Sequence, residues 1–168
     1  DVLGRNLETV EPNGATTRVR YGFGTPAGAS VAALRSEVTD ALSNVRVMFR
    51  DVMDRVVAVE ERIDTRAPTT RYAYDSQGQL TAILDAKGNA TLLDYDLLGR
   101  RTRLNNPDTG RTDYGFDDAS NLVTRVDANL RAAGKSIVYL YDFNRLRRID
   151  YPFSADVDFA YGPPGAPA

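Results

Sequence analysis

The chain has 168 residues, a formal net charge of −2, and neither histidine nor cysteine. These absences exclude His-based catalytic triads, disulfides, thiolate chemistry and most zinc sites. The near-neutral charge predicts no general attraction to nucleic acid, and the lack of an 18-residue apolar run predicts no membrane insertion. No charged-then-apolar segment of the signal-peptide kind opens the chain.

A partial turn motif opens the chain, because Asp1–Arg5 reads Asp-x-x-Gly-Arg. An aromatic pair, Tyr21-Gly22-Phe23, precedes Gly24, which stands where later copies have Asp. The chain ends near Phe159–Gly162, where another copy of the aromatic signature would begin. We therefore expect a fragment of a larger protein.

Residues 31–63 favour two different structures. Their apolar residues recur at spacings of three and four, which is typical of an amphipathic helix. The stretch is also rich in valine, which favours strands. In addition, Asp40–Val45 and Asp51–Arg55 align with Asp85–Ala90 and Asp96–Arg100 at the same interval. We predict strands here and keep a helix as the alternative.

A turn with Asp in its first position and Gly in its fourth recurs through the centre of the chain. The turns start at positions 75, 85, 96, 107, 117 and 127, with Pro replacing Asp at 107. Asp can hydrogen-bond the turn backbone, and Gly accepts the left-handed conformation that follows. Asp54 and Ser120 replace this glycine in two copies. The segments between turns have strand length, so the pattern predicts an all-β chain of consecutive antiparallel hairpins in a curved, meandering sheet.

The turns that begin at residues 51, 75, 96, 117 and 142 each follow a segment with an aromatic residue, and we call them the signature turns. Before those at 75, 117 and 142, two aromatic residues are separated by one position. Such pairs project from one face of a strand, and we expect successive pairs to form a column of cross-strand contacts. Their hydroxyls would find partners in neighbouring turn backbones. The predicted structural repeat motif comprises Tyr72, Tyr74, Asp75, Gly78, Asp85, Gly88, Tyr95, Asp96, Gly99, Arg100, Tyr114, Phe116, Asp117, Tyr139, Tyr141 and Asp142.

The C-terminal part departs from this regularity. Residues 129–136 form an insertion, and Asp142–Arg145 is one residue short of the usual turn. We predict one repeat region over 1–162 and an irregular Pro/Gly-rich tail over 163–168. The repeat units register near positions 1, 24, 51, 75, 96, 117, 142 and 162.

The pattern Tyr-x-Tyr-Asp-x-x-Gly-Arg, followed about ten residues later by Asp-x-x-Gly-Asn, resembles the YD repeat of Rhs proteins. Similar repeats occur in shell components of bacterial Tc toxins and in teneurins. The best matches are Tyr72–Leu80, Asp85–Asn89 and Tyr95–Arg100, and the resemblance covers essentially the whole chain. It implies a sheet that spirals into a hollow shell around a toxin domain. The implied partners are the rest of the parent shell and that toxin domain, and the implied location is secreted or cell-surface, within a larger bacterial protein.

The charged residues of the repeat predict structure rather than catalysis. Each turn supplies one Asp, which favours turn capping over a calcium site. The arginines of 100–103 and 145–148 favour a solvated or salt-bridged face, with Arg100 and Arg145 reaching a neighbouring turn carboxylate. We predict no enzyme activity, catalytic residue, metal or cofactor. The alternative function is a carbohydrate- or cell-surface-binding module that uses the aromatic columns, and exposed strand edges predict self-association.

Overall fold

The computed structural model describes residues 1–62 and 66–162. The chain divides into two units, Asp1–Ala90 and Thr91–Ala168. The predicted tail, 163–168, lies outside the described residues, as does Ile63 at the end of the ambiguous valine-rich stretch. Each unit is an antiparallel meander in which consecutive strands pair, as the sequence predicts.

The described residues of the first unit, 1–62 and 66–90, contain seven strands, each antiparallel to the next. They are β1 (Glu8–Val10), β2 (Thr16–Gly24), β3 (Ala33–Thr39), β4 (Val45–Arg50), β5 (Val56–Arg62), β6 (Thr69–Tyr74) and β7 (Leu80–Leu84).

As far as residue 162, where the description ends, the second unit contains seven further strands and one short helix, and its strands also pair in sequence. They are β8 (Ala90–Tyr95, whose first residue precedes the unit boundary), β9 (Arg101–Asn106), β10 (Gly110–Phe116), β11 (Leu122–Val126), α1 (Ala128–Ala132), β12 (Ile137–Asp142), β13 (Arg145–Asp150) and β14 (Val157–Asp158). No helix among the described residues is long and apolar enough to cross a membrane.

Strands occupy the segment for which a helix was the alternative. β3, β4 and β5 all lie between residues 33 and 62, so the strand prediction is confirmed and the helical alternative is wrong. The apolar spacing misleads because turns at Asp40–Asn44 and Asp51–Arg55 interrupt it. Within β4, Val47 and Phe49 are buried on one face in the two-residue period of a strand.

The core of the first unit lies on this face. Val47, Phe49 and Ala58 form a buried cluster, and two glutamates, Glu37 and Glu60, flank Val47 on the neighbouring strands. Both glutamates are buried but paired, since Arg62 contacts Glu37 at 3.6 Å and Glu60 at 2.6 Å. The pairing offsets the cost of removing their carboxylates from water.

A β-bulge recurs at the same place in five hairpins. The register shifts next to Arg50, Tyr74, Tyr95, Phe116 and Tyr141, the last residue or nearly the last of each strand before a signature turn. The returning strand carries the extra residue, as Thr81 does between the partners of Ala73 and Tyr74. Bulges increase local right-handed twist, so every signature turn is joined to the sheet through a strongly twisted segment.

The turn predicted at position 127 is wrong. Asp127 instead caps α1, its carboxylate accepting the Leu130 N–H at 3.0 Å, and Gly134 follows the helix with a φ of +64°. Ser, Asp or Asn commonly precedes the first residue of a helix, and Gly commonly follows the last. The insertion predicted at 129–136 therefore contains most of this helical turn.

Candidate functional site at the signature turns

One hydrogen-bond pattern builds the turns that begin with Asp. The Asp75 carboxylate accepts the Gln77 and Gln79 N–H groups, both at 2.9 Å. The Gly78 N–H donates to the Asp75 carbonyl oxygen at 3.1 Å, and Gly78 has a φ of +86°. The same carboxylate and carbonyl bonds occur at Asp40, Asp51, Asp85, Asp96 and Asp117.

In five of these six turns the fifth residue donates to the second oxygen of the Asp carboxylate, whereas at Asp75 the Gln79 side-chain amide donates to Gln77 Oε1 at 3.2 Å instead. Where this residue is Asn, as at Asn89, its side-chain amide donates to Asp85 Oδ2 at 2.8 Å. Where it is Arg, as at Arg100, Nε donates to Asp96 Oδ2 at 2.6 Å. In these five turns the carboxylate is therefore saturated by its own turn, which leaves it little capacity for a metal or a substrate.

These hydrogen bonds lower the carboxyl pKa values. The Asn89 side chain is the largest cause of the lowered pKa of Asp85, with backbone N–H groups adding to it. At Asp96, desolvation acts to raise the pKa, but hydrogen bonds from the Arg100 backbone and side chain outweigh it and lower the pKa. The lowered pKa values keep Asp40, Asp51, Asp85, Asp96 and Asp117 ionised over a wider pH range than free carboxyls.

In each unit the antiparallel meander places the signature turns along one edge of the sheet, here the side formed by the ends of the strands. Successive signature turns are separated by two strands, so the chain returns to the same edge each time. In the second unit, the turns starting at Asp96 and Asp117 and the short turn at Asp142–Arg145 share this edge, as do those starting at Asp51 and Asp75 in the first unit.

Arg100 connects two of these turns. Its guanidinium pairs with Asp96, donates from Nη1 to the carbonyl oxygen of Asp117 at 2.9 Å, and reaches Ser120 Oγ at 3.1 Å. The same group lies 4.8 Å from the ring centroid of Phe116. We call this combination, an Arg bound to its own turn and stacked on the next aromatic signature, the arginine clamp.

The first unit contains an equivalent clamp. Arg55 pairs with Asp51 at 2.7 Å, approaches the Asp75 carbonyl oxygen at 3.4 Å, and lies 4.9 Å from the ring centroid of Tyr74. The contacts with Tyr21 and Tyr161 repeat the stacking near the two ends of the chain, through Arg5 at 4.1 Å and Arg145 at 5.3 Å. Arg55, Arg100 and Arg145 are 45 residues apart, so the clamp recurs once for every four strands.

The aromatic column expected from the sequence stays a prediction. Strand β9 lies between the signature strands β8 and β10, so the backbones of those two strands are about 10 Å apart at two strand spacings. Arg100 stacks on Phe116 of β10 from the turn that follows β8. The expectation that Arg100 reaches a neighbouring turn carboxylate is corrected, because it reaches the main-chain carbonyl of Asp117.

The predicted motif residues occupy defined places. Tyr74 donates its hydroxyl to the Val56 carbonyl at 2.8 Å, and Tyr141 donates to Leu122 at 3.0 Å. Both acceptors follow the preceding signature turn, and desolvation is the main cause of the raised pKa of both tyrosines. Arg101 lies 5.2 Å from the Tyr114 ring. The remaining predicted aromatics, Tyr72, Tyr95 and Tyr139, lie half-buried on β6, β8 and β12.

Within the described part of the chain, four non-glycine residues adopt the left-handed conformation. Asp54 and Ser120, the two predicted replacements of the turn glycine, have φ values of +63° and +67°, and Ser43 has +66°. Phe143 has +53° in the shortened turn closed by the pair Asp142 and Arg145. This conformation is unfavourable for residues with a Cβ, so these turns are held by their hydrogen bonds and flanking strands.

The sequence did not indicate a cluster of arginines around Asp113. The Asp113 carboxylate contacts Arg103 at 3.1 Å, Arg111 at 2.9 Å and Arg131 of helix α1. Desolvation opposes ionisation here, but these three side chains lower the pKa of Asp113 to about 2. Only the register of β9 and β10, together with α1, brings the four residues together, so no local pattern could have revealed them.

The acidic residues that the structure describes, in 1–62 and 66–162, form no group of three or more placed to hold a metal ion. The turn carboxylates are bound within their own turns, and Asp113 is bound by arginines. The arrangement is therefore suited to joining hairpins, through repeated non-covalent contacts made by arginine side chains.

Comparisons with known proteins give a repeat family and a fold. The family described as RHS Repeat matches residues 54–90 and 74–111. The crystal structure of TcdB2-TccC3-TEV has a TM-score of 0.54 at 17% identity, and the match covers 96% of this chain and 10% of the other. TcdB2-TccC3 without its hypervariable C-terminal region gives 0.55 at 17% identity, with 97% and 11% covered. This chain thus spans about a tenth of those solved chains. No curated protein matches it.

Proposed function

Because the chain belongs to the Rhs/YD-repeat proteins, we propose that it is a non-catalytic wall segment of a shell that encloses a toxin or effector domain. The arginine clamp is the observation that carries this proposal. In each clamp the charged groups join one hairpin to the next. A wall assembled from many similar units requires such contacts between neighbouring units.

The mechanism of this function is steric. A continuous meander of paired strands leaves few unpaired backbone groups between its hairpins, so a wall built from it would keep an enclosed domain from contact with the surroundings. Its partners would be further repeats of a longer bacterial protein and the enclosed domain. That longer protein would be secreted or displayed at the cell surface.

Self-association of the isolated chain is part of the same proposal. The outermost strands of the two units, β1 and β14, are exposed and have three and two residues. An unpaired strand edge can pair with another chain, and in a longer protein further repeats would cover both edges. Sedimentation of the 168-residue chain tests this: we expect concentration-dependent oligomers, and a monomer at every concentration would contradict it.

Carbohydrate binding is less well supported by the geometry. A glycan platform uses the open face of an aromatic ring, whereas arginine occupies a face of Tyr74 and of Phe116. A glycan array with the isolated chain separates the alternatives, because specific binding would favour a binding module over a wall.

Limited proteolysis of the longer protein that carries this sequence tests encapsulation. We expect the domain that follows the repeats to resist protease in the wild type and to become sensitive when Arg55 and Arg100 are both replaced by glutamine. The exposed Arg147→Gln serves as the matched control. Equal digestion of the domain in the wild type and in a denatured sample would overturn the proposal.

A further inference from the structure

An apolar groove of about 460 Å³ lies beside the connector between β2 and β3 in the first unit. Its walls include Phe23, Val31 and Leu34, together with Val52 from the following signature turn. Phe23 and Val31 are 77% and 73% exposed. Contiguous exposed apolar surface marks a binding site more often than scattered apolar residues do, and the volume lies in the range of about 300–1,000 Å³ for small-molecule sites.

The groove also contains a cation without a carboxylate partner. The Arg71 guanidinium donates from Nη1 to the Gly28 carbonyl oxygen at 2.8 Å, and no carboxylate in the described part of the chain pairs with it. The other charged residues of the groove are already paired: Asp51 with Arg55 at 2.7 Å, and Arg50 with Asp54 at 3.5 Å. Among the residues that the structure describes, Arg71 is thus the one charged residue of the groove that no oppositely charged side chain compensates.

The backbone around this cation fixes its position. Arg71 on β6 is paired in register with Ala58 on β5, so its side chain lies next to the buried core. The connector approaches so closely that a Cβ on Gly28 would lie 2.2 Å from Arg71 Nη1. Gly28 also has a φ of +74°. The connector and the guanidinium are therefore packed together at the wall of the groove, with Nη1 bound to the Gly28 carbonyl oxygen.

We propose that this groove binds a small apolar carboxylate, a compound with one carboxylate head and a hydrocarbon body. The head would pair with Arg71, because a guanidinium fork matches the two oxygens of a carboxylate. The body would lie against Phe23, Val31 and Leu34, removing their surface from water. The charge distinguishes this ligand class from a neutral hydrocarbon, which would gain only the apolar contacts. The proposal is independent of the shell function.

Calorimetric titration with decanoate and with decanol tests the inference, since the two probes share a chain length and differ in charge. Both are titrated below the micelle concentration of decanoate into the full 168-residue chain. We expect saturable one-to-one binding of decanoate, at least tenfold tighter than that of decanol. Arg71→Gln should weaken decanoate binding at least tenfold and leave decanol binding unchanged.

A second variant keeps the test decisive where Arg71→Gln does not fold. Val31→Asp, at an exposed connector position, places a carboxylate against the hydrocarbon body of the ligand and should weaken the binding of both decanoate and decanol at least tenfold. Val2→Asp, which introduces the same charge outside the groove, is the matched control and should bind like the wild type. Non-saturable decanoate binding, equal affinities for decanoate and decanol, or unchanged decanoate binding in Val31→Asp would each overturn the inference.

Discussion

Replacing Arg100 by glutamine removes the guanidinium that joins two signature turns of the second unit. The change eliminates the 2.6 Å contact with Asp96, the 2.9 Å hydrogen bond to the Asp117 carbonyl and the stacking on Phe116. The turn starting at Asp96 should survive locally, because its carboxylate still accepts the backbone N–H groups of Leu98 and residue 100. The loss should therefore fall on the connection between hairpins.

The expected loss of unfolding free energy is about 2–3 kcal/mol, summed from three contacts of this side chain. The side chains of Arg100 and Asp96 are each 23% exposed, so their ion pair contributes at most about 1 kcal/mol. A hydrogen bond from a charged donor to a carbonyl contributes about 1.5 kcal/mol. The cation–π contact with Phe116 adds about 0.5 kcal/mol at a partly exposed site. These contributions share one side chain, so they are not strictly additive.

Chemical denaturation followed by far-UV circular dichroism measures this loss, with Arg147→Gln as the control. Arg147 lies on exposed β13 surface of the same unit, and its replacement should change the free energy by less than about 0.5 kcal/mol. Arg100→Gln combined with Phe116→Leu should show a coupling energy of about 0.5 kcal/mol or more. A loss below about 0.5 kcal/mol for Arg100→Gln, or strict additivity with Phe116→Leu, would refute the clamp as a connection between hairpins.

Three further predictions concern turn conformation and pH. Ser43→Gly should raise the unfolding free energy by about 1 kcal/mol, because Ser43 has a left-handed backbone conformation. Ser120→Gly should raise the unfolding free energy by less, because it also loses the 3.1 Å contact between Ser120 and Arg100. A denaturation midpoint that falls for Ser43→Gly would contradict this. Gly88→Ala should lose about 1 kcal/mol by the same measurement, because its φ is +90° although nothing lies within 4 Å of the added Cβ, and an unchanged midpoint would show that the turn relaxes. Asp113, with its pKa lowered to about 2, stabilises the fold fully above about pH 4 and loses this stabilisation, of at most about 2 kcal/mol, as the pH falls toward 2. Asp113→Asn should flatten the plot of stability against pH in this range. An unaltered slope would exclude Asp113 as the cause.

The hairpins could be predicted from the sequence because their determinants are local. An Asp that binds the N–H groups two and four residues ahead, followed by a left-handed glycine, specifies a turn within five residues. The same local evidence placed strands in 33–62 against a persuasive helical spacing. Helix α1 escaped prediction because five residues are too few to show a periodicity, although Asp127 and Gly134 mark its ends.

The candidate site could be predicted only in part. The sequence identified the turn aspartates and the aromatics, since both recur at fixed spacing. It could not show that Arg100 stacks on Phe116, because that contact crosses from one hairpin to the next and depends on the strand order and the bulges. The groove beside Arg71 depends on a connector that reaches from β2 to β6, 43 residues away in sequence.

Because every signature turn of a unit lies at the same edge, strands can be added to or removed from the chain only in even numbers if the clamps are to be kept. The turns beginning at residues 75, 96 and 117 are 21 residues apart, and each interval contains two strands. Loss or gain of one strand would send each later signature turn of that unit to the opposite edge and separate each arginine from its aromatic. Loss or gain of two strands would preserve the match. Genes for such chains should therefore lengthen by duplicating strand pairs, and an odd number of strands between two intact clamps would be selected against.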